Sequence, residues 1–233
     1  IPVKMKRERI SIPAVPYYGM LDNSTGYIRF TNFTQNGISE VRNALIDLKD
    51  KQGATALVLD LRNNPGGLVN EAVEIVNLFV RPGQEVVSTR GRVKQYDAVF
   101  RTQKTPVAPD MPLVILINRA SASASEIVAG AIQDLDRGVI IGERSYGKGL
   151  VQVARPLSYK AQLKLTTAKY YIPSGRCIQA VDFSHRNEDG SVGLIPDSLI
   201  KTFRTLSGRE VKDGGGIIPD VMVPSEVMAR FTS

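Results

Sequence analysis

The chain has 233 residues, of which 42% are hydrophobic and 23% charged, and its formal net charge is +7 at pH 7. This composition is ordinary for a globular domain, and no apolar run approaches the roughly 18 residues of a membrane span. The single cysteine, Cys177, excludes an internal disulfide and a cysteine-based metal cluster. Basic residues form no continuous stripe with interleaved aromatic residues, so we expect a solvated basic surface and no nucleic-acid partner.

Apolar periodicity predicts strands that alternate with helices. A half-buried strand is expected at 26–30, and continuous apolar runs predict strands buried on both faces at 55–61, 113–117 and 138–141. The predicted helices carry apolar residues at helical spacing. These residues are Ile38, Val41, Leu45 and Leu48 in the first helix, Ala72, Val73, Val76 and Phe79 in the second, and Ile127, Val128, Ala131, Ile132 and Leu135 in the third.

This alternation predicts an α/β fold with mostly parallel core strands. The first dozen residues are basic and are predicted to be a strand-like lead-in. From Leu150 onward the pattern becomes β-rich, with strands expected at 151–154, 163–167 and 170–172. Residues 174–220 are rich in Gly, Asp, Ser and Arg and predict long loops with short elements.

The segment 121–126, Ser-Ala-Ser-Ala-Ser-Glu, places a candidate nucleophile, Ser123, at the start of an apolar helix. The unpaired amides and the positive dipole end of that helix would face the serine oxygen. The Ala124 amide would lie where an oxyanion forms. In the alternative interpretation, Ser123 only caps the helix and Glu126 completes a capping box. A serine that accepts a hydrogen bond from its own helix is poorly placed to attack, so the two interpretations exclude each other.

Lys148 is the candidate base for that serine. The chain has one histidine, His185, so a Ser/His/Asp triad has a single candidate base, whereas Lys148 follows Ser123 by 25 residues in a glycine-flanked turn. A lysine acts as a base only when neutral, so we expect Lys148 in a dry pocket that lowers its pKa. If Lys148 opens a strand, Gln152 projects from the same face and its amide can hold the amine in line. The alternative is that Lys148, like most single lysines, is a solvated surface charge.

Two further turns are informative. The loop at 60–67 ends in Pro-Gly-Gly after a buried strand, the usual location of a site in α/β folds. Gly66 and Gly67 permit close backbone approach and could supply a second oxyanion amide, although such a turn alone is more often only a loop. The segment 142–149 has the spacing of a phosphate-binding P-loop, but position 149 is glycine instead of Ser or Thr and a strand follows instead of a helix. Nucleotide binding is therefore the weaker alternative.

The order and spacing of these motifs resemble those of the carboxy-terminal processing (tail-specific) serine proteases, over nearly the whole chain. The motifs that carry the resemblance are GYIR at 26–29 with Phe33, LDLRNNPGGL at 59–68, Asn118 with SASASEIVAG at 121–130, GERSYGKG at 142–149 with Val151 and Gln152, AKYY at 168–171, PSGR at 173–176 and GIIPD at 216–220.

The resemblance implies a serine–lysine dyad without a metal or cofactor. Ser123 matches the nucleophile, Lys148 the general base and Gln152 the residue that orients the lysine. The oxyanion hole corresponds to the amides of Ala124 and of the Gly66–Gly67 turn. Three more residues lie on positions tied to activity, as support: Glu126, Asp134 and Ser145. Asp134 lies about 16 Å along the helix from Ser123, too far for a triad acid.

The resemblance also implies a fold related to the crotonases and ClpP, with a β-rich C-terminal portion. Residues 13–233 would form the protease core, and residues 1–12 the end of an upstream PDZ domain and its linker. The expected substrates are proteins or peptides with free C-termini, a homo-oligomer is compatible with the resemblance, and the expected compartment is the periplasm or cell envelope. The alternative is a non-catalytic peptide-binding or scaffold module on the same fold.

Overall fold

The computed structural model describes Ile10 and residues 12–224. Its strands are β1 (Tyr17–Met20), β2 (Thr25–Arg29), β3 (Ala56–Asp60), β4 (Glu85–Gly91), β5 (Ala98–Arg101), β6 (Leu113–Ile117), β7 (Val139–Gly142), β8 (Leu150–Pro156), β9 (Gln162–Tyr171), β10 (Val181–Arg186), β11 (Val192–Leu194), β12 (Thr202–Arg204), β13 (Glu210–Lys212) and β14 (Val221–Met222). Its helices are α1 (Gly37–Ile46), which continues into a π-helical turn (Asp47–Lys51), α2 (Val69–Asn77) and α3 (Ala124–Asp134). The predicted lead-in at 1–12 lies almost entirely outside the described residues, so the expected domain boundary remains a prediction.

A six-stranded sheet in the order β1-β2-β3-β6-β7-β14 forms the centre of the fold. Strands β2, β3, β6, β7 and β14 are parallel, and β1 pairs antiparallel with β2. The predicted α/β class with mostly parallel core strands is thus confirmed. Asp60, the last residue of β3, pairs with Leu116 near the end of β6. The loops that follow β3 and β6 therefore leave the same edge of the sheet.

The three helices pack together against this sheet. Val41, Leu45 and Leu48 are fully buried, which confirms the apolar face predicted for the first helix. Helix α3 differs from the prediction of a single apolar face, because all eleven of its residues are buried. It is enclosed by α2, β4 and β7. Among the described helices, none is both long and apolar enough to cross a bilayer.

The prediction that the core strands are buried on both faces is wrong for the described part of the chain. Leu57 and Leu59 are buried in the same core cluster as the helices, whereas Val58, Val114 and Leu116 are only half-buried. Successive side chains of a strand point to opposite faces. The helices therefore cover one face of the central sheet, and its other face is partly open.

From Leu150 onward the chain is β-rich, as predicted. Strands β8 and β9 join the earlier β4 and β5 in an antiparallel sheet with the order β5-β4-β9-β8. The strands predicted at 163–167 and 170–172 are joined in β9, and β4 and β5 were not predicted. Between 174 and 220 the chain forms two short antiparallel pairs, β10–β11 and β12–β13, connected by long loops.

Candidate active site

The turn at Gly66 lies directly against the start of α3. Gly66 has φ +96°, and a Cβ added there would lie 2.6 Å from Ala122 O and 2.8 Å from Ala124 N. The Asn64 carbonyl accepts the Ala122 N–H at 3.1 Å and the Ser125 hydroxyl at 2.9 Å. Tertiary structure therefore brings together two of the three turns that the sequence indicated.

Polar residues that the sequence analysis did not assign to the site fasten these two loops. Asn63 N–H donates to Asn118 Oδ1 and Asn118 Nδ2 donates to Asn63 Oδ1, both at 2.9 Å. Ser121 Oγ donates to the Leu61 carbonyl at 2.8 Å. All of these residues directly follow the ends of β3 and β6, and that position is the signal by which they could have been identified.

Ser123 has an unusual backbone conformation. Its φ is 57° and its ψ is −112°, outside the regions that an L-residue ordinarily adopts, and such a conformation costs about 1–3 kcal/mol. A helix cap normally has a β-region backbone. The contacts of a capping box are nevertheless present: the Ser123 side chain faces the Glu126 amide, although not as a full cap hydrogen bond, and the Glu126 carboxylate accepts the Ser123 N–H at 2.8 Å. The two interpretations therefore do not exclude each other, and it is the strained backbone that supports the nucleophile.

The Glu126 carboxylate connects the turn that carries Ser123, the serine turn, to the glycine-flanked turn that carries Lys148, the lysine turn. Its Oε2 accepts the N–H of Ser123 at 2.8 Å and of Lys148 at 2.9 Å, and its Oε1 accepts the Ser145 hydroxyl and the Gly147 N–H, both at 2.6 Å. Burial raises the pKa of Glu126, and the four hydrogen bonds oppose that change. One buried side chain thus fixes the backbones of both predicted catalytic residues.

Lys148 itself differs from the expectation of a dry pocket, because its side chain is exposed. Within the described residues, it makes no hydrogen bond to Ser123 Oγ. Strand β8 begins at Leu150 instead of Lys148, and its pairing with β9 shifts register between Val151 and Gln152. Gln152 is also exposed. The condition for Lys148 and Gln152 to project from one face, that Lys148 opens the strand, is therefore not met.

The expected oxyanion donors differ in their availability. Ala124 begins α3, so its N–H has no acceptor inside the helix, and it has none elsewhere among residues 12–224. The Gly66 N–H donates to Asn64 Oδ1 at 2.9 Å. The Gly67 N–H has no acceptor in the described part of the chain. Of the two glycines, Gly67 is therefore the one with a free amide.

Ser145 and Asp134 lie in supporting positions. The Ser145 hydroxyl donates to Glu126 and accepts the Ile217 N–H at 2.7 Å. Asp134 lies at the opposite end of α3 from Ser123, as predicted, and forms a buried ion pair with Arg176 at 2.8 Å. Burial lowers the pKa of Arg176, and the Asp134 charge opposes that change. Asp134 therefore anchors the end of the helix.

His185 lies on β10 in an exposed position. Its Nδ1 lies 2.7 Å from Asp182 Oδ2 and 3.3 Å from Ser184 Oγ. In a Ser/His/Asp triad the serine and the aspartate face different ring nitrogens. Here both neighbours face Nδ1, so the group does not have the geometry of a triad.

The loop at 60–67 also borders a cavity of about 440 Å³ at the carboxyl edge of the central sheet. Asp60 accepts the Tyr27 hydroxyl at 2.6 Å and pairs with the Arg62 guanidinium at 2.7 Å. Burial by itself would raise the pKa of Asp60, but the hydrogen bonds from Arg62 and Tyr27 outweigh it and lower that pKa. This ion pair fixes the first residues of the loop that carries Gly66.

The alternative of a nucleotide site at 142–149 is not supported. The amides of Gly147 and Lys148 donate to Glu126, and the Gly149 amide donates to Gln179 Oε1 at 2.8 Å. These amides are therefore not available to phosphate oxygens, and a strand follows them. Among the residues the structure describes, no three His, Cys, Asp or Glu side chains are grouped so that they could bind a metal ion.

Comparison with known proteins gives consistent matches. The sequence model of "Peptidase family S41" matches residues 24–200. A carboxy-terminal-processing protease of Bartonella bacilliformis is 41% identical over 205 residues, which cover 86% of this chain and 44% of the relative. A carboxyl-terminal-processing protease of Synechocystis is 37% identical over 206 residues, covering 86% and 45%. The chain thus spans about half the length of the curated relatives it matches.

Solved structures agree on the fold. The photosystem II D1 C-terminal processing protease superposes with a TM-score of 0.70 at 29% identity, covering 96% of this chain and 51% of that one. A Bacteroides fragilis protein described as a putative S41 protease has a TM-score of 0.66 at 16% identity, over 93% and 52% of the two chains. The second similarity concerns the fold alone.

Proposed function

Because the chain belongs to peptidase family S41, we propose that it forms the catalytic core of a serine endopeptidase that cleaves protein substrates near their C-termini. The observation that carries this proposal is the strained backbone of Ser123, held on the same Glu126 oxygen as the backbone of Lys148. Backbone strain is found at active sites and at ligand clamps, and the proteases among the relatives favour the active site here.

In the proposed mechanism, neutral Lys148 accepts the proton of the Ser123 hydroxyl as the serine attacks a substrate carbonyl. The amides of Ala124 and Gly67 hold the oxyanion. Lys148 then protonates the leaving amine, and water hydrolyses the acyl-enzyme. Because Lys148 is exposed, bound substrate must supply the water exclusion that favours its neutral form. Gln152 would orient the amine in that complex.

The partners and compartment also belong to this proposal. The names of the relatives, carboxy-terminal-processing proteases, support protein substrates with free C-termini. An upstream PDZ domain, a homo-oligomer, placement in the periplasm or cell envelope, and kinship of the fold with the crotonases and ClpP remain expectations from the resemblance.

The test is cleavage of an unstructured polypeptide with an apolar free C-terminus, followed by mass spectrometry. We expect the parent to cleave, Ser123→Ala and Lys148→Ala to be inactive, and Lys164→Ala, which removes an exposed lysine of β9, to retain activity. The same assay is made with the predicted upstream PDZ domain included. Absence of cleavage in both forms, with tight peptide binding, would favour the binding module.

A further inference from the structure

Three consecutive amides of the lysine turn are held by two buried side chains. Gly147 and Lys148 donate to Glu126 on α3, at 2.6 and 2.9 Å. Gly149 donates to Gln179 Oε1 at 2.8 Å. Gln179 lies outside every motif considered above and only 5% of it is exposed. The backbone on both sides of Lys148 is therefore fixed by side chains from two different parts of the chain.

Gln179 is itself held firmly in place. Its Nε2 donates to the Val181 carbonyl at 3.0 Å, so both ends of its amide are used. The lysine turn also packs directly on the backbone next to Gln179. A Cβ added at Gly149 would lie 2.6 Å from Gln179 N, and one added at Gly147 would lie 2.3 Å from Ala180 Cβ. This contact explains why glycines flank Lys148.

The segment that carries Gln179, residues 174–180, is anchored at its other end to the helix that begins after Ser123. Ser174 N–H donates to Asp134 Oδ2 at 3.0 Å. The Arg176 guanidinium, 1% exposed, donates to Asp134 Oδ1 at 2.8 Å. The 174–180 segment thus connects the end of α3 to the lysine turn, and α3 in turn positions Ser123.

We propose that Gln179 is a positioning residue for Lys148: its amide fixes the Lys148–Gly149 peptide so that the amine can reach the Ser123 hydroxyl when substrate is bound. The inference rests on the proposed function, since it assigns Lys148 to the base. Glu126 forms one connection between the serine turn and the lysine turn, and Gln179 forms a second through the 174–180 segment. A displacement of about 1 Å in such a constellation can reduce the rate by roughly 100-fold.

The test replaces Gln179 by methionine, which has a similar length and cannot hydrogen-bond to Gly149. We expect hydrogen exchange at the Gly149 amide to become at least about 10-fold faster. We also expect kcat to fall about 10- to 100-fold while KM changes less than about threefold, because substrate contacts remain and only the base is displaced. Gln179→Glu keeps an oxygen facing Gly149 and, in its protonated form, has a hydroxyl that can donate to the Val181 carbonyl. It should therefore restore the exchange protection and part of kcat.

The matched control is Asn77→Leu. Asn77 is another buried amide, and its Oδ1 accepts the N–H groups of Gln103 and Lys104 at 2.8 and 3.3 Å in a different loop. This variant should lose stability but retain kcat and the Gly149 exchange rate. If Gln179→Met reduces kcat no more than Asn77→Leu, or leaves Gly149 exchange unchanged, the positioning role is overturned. If Lys148→Ala remains active, the proposed dyad fails instead, and the kcat and exchange results for Gln179→Met still decide whether Gln179 positions the turn.

Discussion

At the scale of single residues, Ser123 combines a position that suits a helix cap with a backbone that does not. A capping serine gains its hydrogen bond from a relaxed β-region conformation. Ser123 keeps the contacts of a capping box with Glu126 but has φ 57°. The surrounding contacts, above all the Glu126 carboxylate on its N–H, hold it there. This cost in stability is expected at a site where the hydroxyl must face a substrate.

Ser123→Gly should therefore increase the free energy of unfolding by up to about 1 kcal/mol while abolishing peptidase activity, because glycine adopts positive φ without steric cost. Urea unfolding measures the change. Ser123→Ala, which keeps the Cβ and thus the strain, serves as the control and should be inactive without being stabilised. A glycine variant less stable than the parent would agree with a simple cap and contradict this expectation.

At the scale of elements, the site depends on the contact between the loop after β3 and the loop after β6. The two loops leave the same edge of the sheet and are joined by the Asn63–Asn118 amide pair. Gly66 lies against the start of α3 with no room for a side chain. The position of Ser123 therefore depends on the backbone of a loop more than fifty residues away in sequence.

Gly66→Ala should abolish activity and destabilise the protein by more than about 2 kcal/mol, since it adds a clash with the Ala122 carbonyl to the cost of a positive φ. Gly83→Ala is the matched control, because Gly83 has φ +94° but nothing within 4 Å of an added Cβ. Gly83→Ala should lose only the stability that a positive φ costs a residue with a Cβ, and it should retain kcat. Equal stability losses and full activity in both variants would show that the loop contact is unimportant.

At the scale of the whole molecule, late parts of the chain return to fasten the end of α3. Arg176 pairs with Asp134, and Arg209 bridges Asp136 and Asp220 at 2.7 and 2.6 Å. The β-rich C-terminal portion is thus connected to the helix that begins after Ser123, and we expect the two to unfold together.

Arg176→Met should destabilise the protein by about 3–5 kcal/mol, because it leaves the Asp134 carboxylate buried and unpaired. Arg204→Met provides the comparison, since the Arg204–Glu210 pair is exposed, with 68% and 67% of the two side chains accessible. Its loss should cost less than about 1 kcal/mol. Denaturant unfolding of both variants tests the difference, and similar losses for the two would contradict a specific role for the buried pair.

Much of the fold could be predicted because its core strands and helices follow from local patterns. The run Leu113–Ile117 was predicted with its observed bounds, since a continuous apolar run between turn signals leaves few alternatives. The open face of the sheet could not be predicted, because a run such as 56–59 is the same whether one or both faces are covered. Strands β4 and β5 lack a clear periodicity: β4 pairs with the distant β9, and β5 pairs with β4.

By itself, the sequence determined the α/β class, the turns that meet at the site, and the candidate serine and lysine, because apolar periods and residue chemistry are local properties. Tertiary structure alone decided that Lys148 is exposed, that Gly67 and not Gly66 has the free amide, and that Glu126 and Gln179 hold the lysine turn. Those facts depend on which buried groups meet across long sequence separations. A hydrogen-bond donor or acceptor inside the core must bond to a group that the fold places beside it. That group can lie far away in sequence, so no local pattern predicts it.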